Sequence, residues 1–186
     1  MVTLSEQQKA MLQNIPKHTD DQARELRGLF EKQLRELYWT ENAILPMLAE
    51  TIENSTSKDL TLVLHEQRTE IVKHLSRLDK IFDAIGIEAA SLPYKAVECL
   101  IEESDDIAGI IKPGVVRDAA IIAILQKIKH HEIACYGTMR AYAIALREED
   151  VVTLLEDTLN EEKQADLALS HIAESHINIE AADKEI

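Results

Sequence analysis

The stretch Val116–Ala145, VRDAAIIAILQKIKHHEIACYGTMRAYAIA, decides the fold. Ile121, Ile122, Leu125, Ile128, Met139 and Tyr142 recur in steps of three and four, the spacing that lines one face of an α-helix. Working outward, three more segments carry the same period. Leu26, Phe30, Leu34, Leu37, Ile44 and Leu48 mark a first long helix over 22–53, and Leu60, Leu64, Ile71, Leu78 and Phe82 a second over 58–85, stopped by Gly86. Val152, Leu155, Leu159, Leu169 and Ile172 mark the last, over 150–176. Asn54-Ser55-Thr56-Ser57 joins the first two. Residues 91–111 form a shorter helix, opened by Pro93 near its first turn and closed by Lys112-Pro113-Gly114. Thr19-Asp20-Asp21 is a helix-start cluster, and Pro46 predicts a kink near Asn42 and Ala43.

Helices of roughly 25 residues are about 38 Å long. With short connections they pack as an antiparallel bundle, so the fold class is all-α: an antiparallel four-helix bundle with an additional short helix between the second and third long helices. A coiled-coil rod fits less well, because the apolar pattern is interrupted repeatedly. The division along the chain is a polar N-terminal extension (1–21), the bundle (22–176) and a polar C-terminal tail (177–186).

Composition agrees and narrows the function. Of 186 residues, 34 are acidic and 20 basic, a formal charge of −14. Phosphate backbones and anionic membrane surfaces select basic faces, so neither nucleic acid nor membrane is an expected partner. At 46% hydrophobic residues the chain can bury a core, while five glycines, four prolines and 4% aromatics are too few for a turn-rich β fold. No stretch approaches the about 20 apolar residues that span a bilayer, and the N-terminus lacks a signal-peptide pattern. Cys99 and Cys135 sit in apolar surroundings and read as reduced thiols, so a cytoplasmic protein is expected. Neither GxGxxG, GxxxxGK[ST], HExxH, GxSxG nor a CxxC pair occurs.

The interruptions of the apolar stripes carry the chemistry. The first helix reads Leu34, Leu37, Glu41, Ile44, Leu48; the second Leu60, Leu64, Gln67, Glu70 or Ile71, His74, Leu78. The third long helix gives Leu125, Lys129, Glu132, Tyr136, Met139, and the fourth Leu155, Thr158, Glu162, Asp166, Leu169. Each long helix thus inserts an acid (Glu41, Glu70, Glu132, Glu162) near its middle. A buried carboxylate costs several kcal/mol unless compensated, and a pair of divalent ions would compensate four at once. Carboxylates with imidazole suit iron, manganese or zinc. Any one Glu on a bundle helix is more often at the core's edge, reaching water, and a helical His is usually structural; His74 is the imidazole placed to join the acids. His130 and His131 point to different faces, so at most one approaches Glu132. His65 reads as packed or hydrogen-bonded, and His171 and His176 complement a helix C-terminus. Tyr38, one turn before Glu41, is the tyrosine placed to bond a ligand, although packed tyrosine is the plainer reading.

The strings TENAIL (40–45), HEQRTEIVKHLSRLDKIF (65–82), PYKAVECLIEES (93–104), QKIKHHEIACYG (126–137) and TLNEEKQADLALSHIA (158–173) resemble ferritin-like proteins of the YciE/YciF type over about residues 24–175. That resemblance, akin to rubrerythrins and ferritins, implies a ferritin-like bundle, a two-metal centre and a homodimer associated with stress responses. It implies Glu41, Glu70, Glu132, Glu162 and Asp166 as metal ligands, and His74, one turn past Glu70, is a candidate shifted ligand where the sequence departs from the family. Two departures stand out. Lys129 replaces the first acid of the family's Glu-His-Tyr-Glu, and Gln67 stands where the family often shows His. An ammonium among the carboxylates reduces the site to one metal or replaces metal by a salt-bridge network. The expectation is a metal-binding protein, with two iron ions or one, or else manganese or zinc, that reacts with oxygen or peroxide as a non-haem iron oxidoreductase. Lacking a CxxC pair, it would need an external electron donor. The alternative is a metal-free helical scaffold acting through protein contacts.

Overall fold

The short link between the first two helices shows how the bundle is tied. In this computed structural model, which describes residues 21–183, helix α1 spans Asp21–Asn54 and α2 spans Lys58–Ile85. Ser57 caps α2 by accepting a hydrogen bond from the Leu60 amide. The link is held from α4 (Val115–Leu146): buried Asp118 accepts from the Thr56 amide at 2.8 Å, the Thr56 hydroxyl at 2.6 Å and the Ser57 amide at 2.9 Å. Next to it, Arg117 donates to the Ile111 carbonyl at 2.7 Å and to Asn54 at 3.2 Å. One end of the bundle is thereby stitched to two loops. The polar extension and the cap expected from Thr19 and Asp20 lie outside the described residues.

Helix α1 stays continuous across Pro46, so the expected kink does not break it. Pro46 is exposed, and the carbonyl it leaves without a helical partner belongs to Asn42, itself exposed to water. Helix α2 ends at Gly86, whose φ of 73° is the left-handed conformation glycine adopts freely; the Ile87 amide closes on the Phe82 carbonyl at 3.1 Å. The crossover then runs extended. The Leu92 amide pairs with the Arg35 carbonyl of α1 at 3.1 Å, so α3 begins only at Lys95 and ends at Ile110. Pro93 therefore precedes the helix rather than opening its first turn, because that pairing keeps the chain straight.

Helix α3 packs on α1 and α4, and α5 (Glu149–Ile172) closes the bundle against α4 and α2. Beyond it, a single π-helical turn at Ala173–Ile177 leads into α6 (Asn178–Asp183). The tail expected from residue 177 is thus helical through Asp183. The wider turn places Ala173 and Ile177, four residues apart, both inward, and Ile177 is 1% exposed. Among the described residues there is no strand, and no helix is long and apolar enough to cross a membrane. Cys99 and Cys135 are free thiols.

The core is split. One apolar cluster holds Ile44, Leu48, Leu64, Ile71, Leu125, Ile128 and Leu169; the other holds Phe30, Leu34, Leu78, Phe82, Met139 and Leu155. Along each long helix the two are separated by the same few residues: Glu41, His74, Lys129 to Glu132, and Glu162. The antiparallel bundle stacks these interruptions into one polar layer.

Candidate metal centre

In that layer Glu41, His74 and Glu162, all at most 1% exposed, converge. His74 Nδ1 lies 3.3 Å from Glu41 Oε1 and 3.2 Å from Glu162 Oε1. It is aligned for a hydrogen bond with neither, and Glu162 Oε1 and Glu41 Oε2 also lack a donor. These separations match a coordination set. Ligand atoms about 2.1 Å from an ion, at tetrahedral or octahedral angles, lie about 3.0–3.4 Å apart. Buried polar atoms without partners are expensive, and a cation between His74 Nδ1 and Glu162 Oε1 would compensate these two, with Glu41 Oε1 beside them.

Lys129 provides the second feature. Its Nζ, 2% exposed as a residue, donates to Glu132 Oε2 at 2.8 Å and Glu162 Oε2 at 2.7 Å. Tyr136 donates to Glu41 Oε1 at 2.5 Å. The layer therefore contains three carboxylates, one ammonium, one imidazole and one phenol, all buried. Glu41, His74 and Glu162 each offer one ligand atom to a common point, whereas the Lys129 ammonium occupies the space between Glu132 and Glu162.

The charges are strongly coupled. Burial alone would push His74 down, but the Glu162 and Glu41 carboxylates outweigh it and raise the imidazole to about 10. Lys129 is likewise disfavoured by burial and held charged, above its ordinary value, by Glu132, Glu162 and Glu41. The two carboxylates that share it diverge. Burial and the neighbouring Glu162 charge push Glu132 well above the usual range. For Glu162, burial is overcome by Lys129 and His74, which bring it to about 2. Tyr136 is raised by burial and then by Glu41, so its hydroxyl stays a donor.

Of the six residues expected as ligands, the fold brings together Glu41, His74 and Glu162, with Glu132 beside them on Lys129. Glu70 is not in the group. Adjacent helical residues point about 100° apart, and Ile71 takes the inward position, leaving Glu70 half-buried. Burial, then the nearby Glu161 charge, raises the Glu70 carboxyl. Asp166 also stays outside the group; it lies 3.4 Å from the exposed His130. His65 is exposed rather than packed. Tyr38 stacks edge-on against Phe82, ring centroids 5.5 Å apart, while Tyr136 is the tyrosine that donates to Glu41. Glu161, absent from the sequence reading, bonds His74 Nε2 at 3.0 Å and is held by Arg77. Its one signal in the sequence is its place beside Glu162.

The family model described as "Domain of unknown function (DUF892)" matches residues 22–182. Protein YciF of Escherichia coli K12 is 30% identical over 160 residues, covering 86% of this chain and 96% of that protein. The crystal structure described as that of the E. coli stress protein YciF superposes with a TM-score of 0.79, covering 82% of this chain and 97% of that one. YcfI from Rhodopseudomonas palustris, 35% identical, superposes with a TM-score of 0.77 over 84% and 97% of the two chains.

Proposed function

The chain belongs to the DUF892 family, and from that premise we propose that it is a ferritin-like protein binding one transition-metal ion between Glu41, His74 and Glu162. The observation that carries this reading is the convergence of unpartnered, buried ligand atoms, His74 Nδ1 and Glu162 Oε1, beside Glu41. Two carboxylates and an imidazole suit iron, manganese or zinc. Bound there, iron or manganese would supply one-electron exchange with oxygen or peroxide. The chain's own residues set the conditions for it. Lys129 supplies a fixed positive charge where a second ion would otherwise sit, Tyr136 orients Glu41, and the two apolar clusters exclude water on both sides.

The stress association described for YciF, a cytoplasmic location, a homodimer and an external electron donor belong to the same proposal. Metal content by mass spectrometry, on protein purified without an affinity tag, tests it. A single ion per chain is the expected result. Two ions per chain would refute the role given to Lys129. None after reconstitution with iron, manganese and zinc would refute the metal site.

A second reading is a metal-free scaffold. Lys129 favours it, since an ammonium bonded to two carboxylates already compensates much of the buried charge. Under that reading thermal stability is the same with chelator as with added metal. Under the first, saturating metal raises the melting temperature.

A further inference from the structure

The two nitrogens of the His74 ring have different neighbours. Nδ1 faces the interior, within 3.3 Å of Glu41 and Glu162, and Nε2 faces Glu161 Oε2 at 3.0 Å. Consecutive residues of α5, Glu161 and Glu162, therefore hold opposite edges of one ring. Glu161 is itself fixed. Arg77 donates to it through both terminal nitrogens, Nη2 to Oε1 at 2.7 Å and Nη1 to Oε2, and Nη1 also reaches Thr158 Oγ1 at 3.2 Å. Arg77 follows His74 by three residues, on the same side of α2. Ring, carboxylate and guanidinium thus form one hydrogen-bonded array between two helices.

A carboxylate paired with Arg can only accept, so the hydrogen facing Glu161 must come from Nε2. When the ring is neutral this leaves the lone pair on Nδ1, aimed at Glu41 and Glu162. The geometry points to Glu161, gripped by Arg77, as the positioning residue that sets the tautomer and orientation of His74 and so makes Nδ1 the metal-facing donor. The inference rests on the metal reading above. Carboxylates and carbonyls commonly act in this way on ligating histidines, and losing one weakens metal affinity by about 10- to 100-fold.

The test uses the full chain and Zn(II) alone, titrated in competition with a chromophoric chelator. Glu161→Ala is expected to weaken Zn(II) binding by about 10- to 100-fold. Glu161→Gln, whose amide oxygen still accepts from Nε2–H, is expected to restore most of it. A second readout needs no metal. With ¹⁵N-labelled histidine, the metal-free protein should show a slowly exchanging His74 Nε2–H resonance that Glu161→Ala abolishes and Glu161→Gln keeps. Unchanged Zn(II) affinity in Glu161→Ala would overturn the inference, as would a wild-type ring whose hydrogen resides on Nδ1 alone. Should the wild-type chain take up no Zn(II), the metal reading falls while the Nε2–H resonance still decides the role of Glu161. Should Glu161→Ala not fold, the wild-type resonance and the Glu161→Gln titration decide it.

Discussion

Replacing Lys129 by Met removes the ammonium and keeps most of the side-chain volume. In the wild-type layer that ammonium donates to Glu132 and Glu162 and, with His74, holds Glu162 near 2. Without it, buried Glu162 and Glu41 share the single positive charge of the His74 ring, and the cheapest response is for Glu162 to take up a proton. Protonating a carboxyl of ordinary value 4.5 at pH 7 costs about 1.4 kcal/mol per pH unit, or about 3 kcal/mol. That agrees with the 3–5 kcal/mol typical of removing one partner of a buried ion pair. For a chain of this size it lowers the melting temperature by about 6–12 °C.

The sign of the pH dependence follows. In the variant the folded-state value of Glu162 lies above its unfolded value, so folding is penalised increasingly as pH rises past 4.5. The penalty is about 1 kcal/mol at pH 5 and about 3 kcal/mol at pH 7. Melts followed by circular dichroism in chelator, at both pH values, read it directly. A melting temperature within about 2 °C of wild type at pH 7, or a difference that does not grow with pH, would refute the role assigned to Lys129.

Two further outcomes are expected. Gln67 is 2% exposed and neither its amide nitrogen nor its oxygen has a partner, so Gln67→Leu should be neutral or stabilising by about 1–2 kcal/mol in denaturant unfolding; a loss above about 1 kcal/mol would mean the amide is satisfied in solution. Arg147 ends α4 at a φ of 61°, a conformation that costs a residue with a Cβ about 1–2 kcal/mol, so Arg147→Gly should stabilise by up to about 1 kcal/mol; a lower melting temperature would contradict that.

The helices were legible because their apolar steps run long and agree with one another, and the polar layer was legible because each stripe breaks near its middle. Glu41, His74 and Glu162 stand on strict three- and four-residue steps from buried neighbours, so placing them required no tertiary information. Glu70 and Ile71 could not be separated that way. Either continues the series from Gln67, and only the neighbouring helices decide which turns inward. Tyr38 and Tyr136 pose the same difficulty, since both stand near a carboxylate in the helical count, yet the phenol that reaches Glu41 comes from another helix, 95 residues away. Glu161 lies off the stripe and meets His74 only because α5 packs against α2. The π turn that buries Ile177 has no signature in a pattern of strict helical steps.

The placement of one fixed cation bears on how folding and metal binding relate. Three carboxylates and an imidazole stacked between two apolar clusters would, alone, make the empty bundle unstable and folding dependent on metal, as in small zinc domains. Lys129 alters that balance. It bonds two of the three carboxylates, while Tyr136 bonds the third. On the proposed metal reading the interior is then sufficiently compensated for the chain to fold without an ion, and binding would add stability by mass action, about 2.7 kcal/mol at a hundredfold excess over Kd. Under that reading, occupancy of the Glu41–His74–Glu162 position would change while the fold stays constant, with His74 Nδ1 and the unpaired carboxylate oxygens registering the difference.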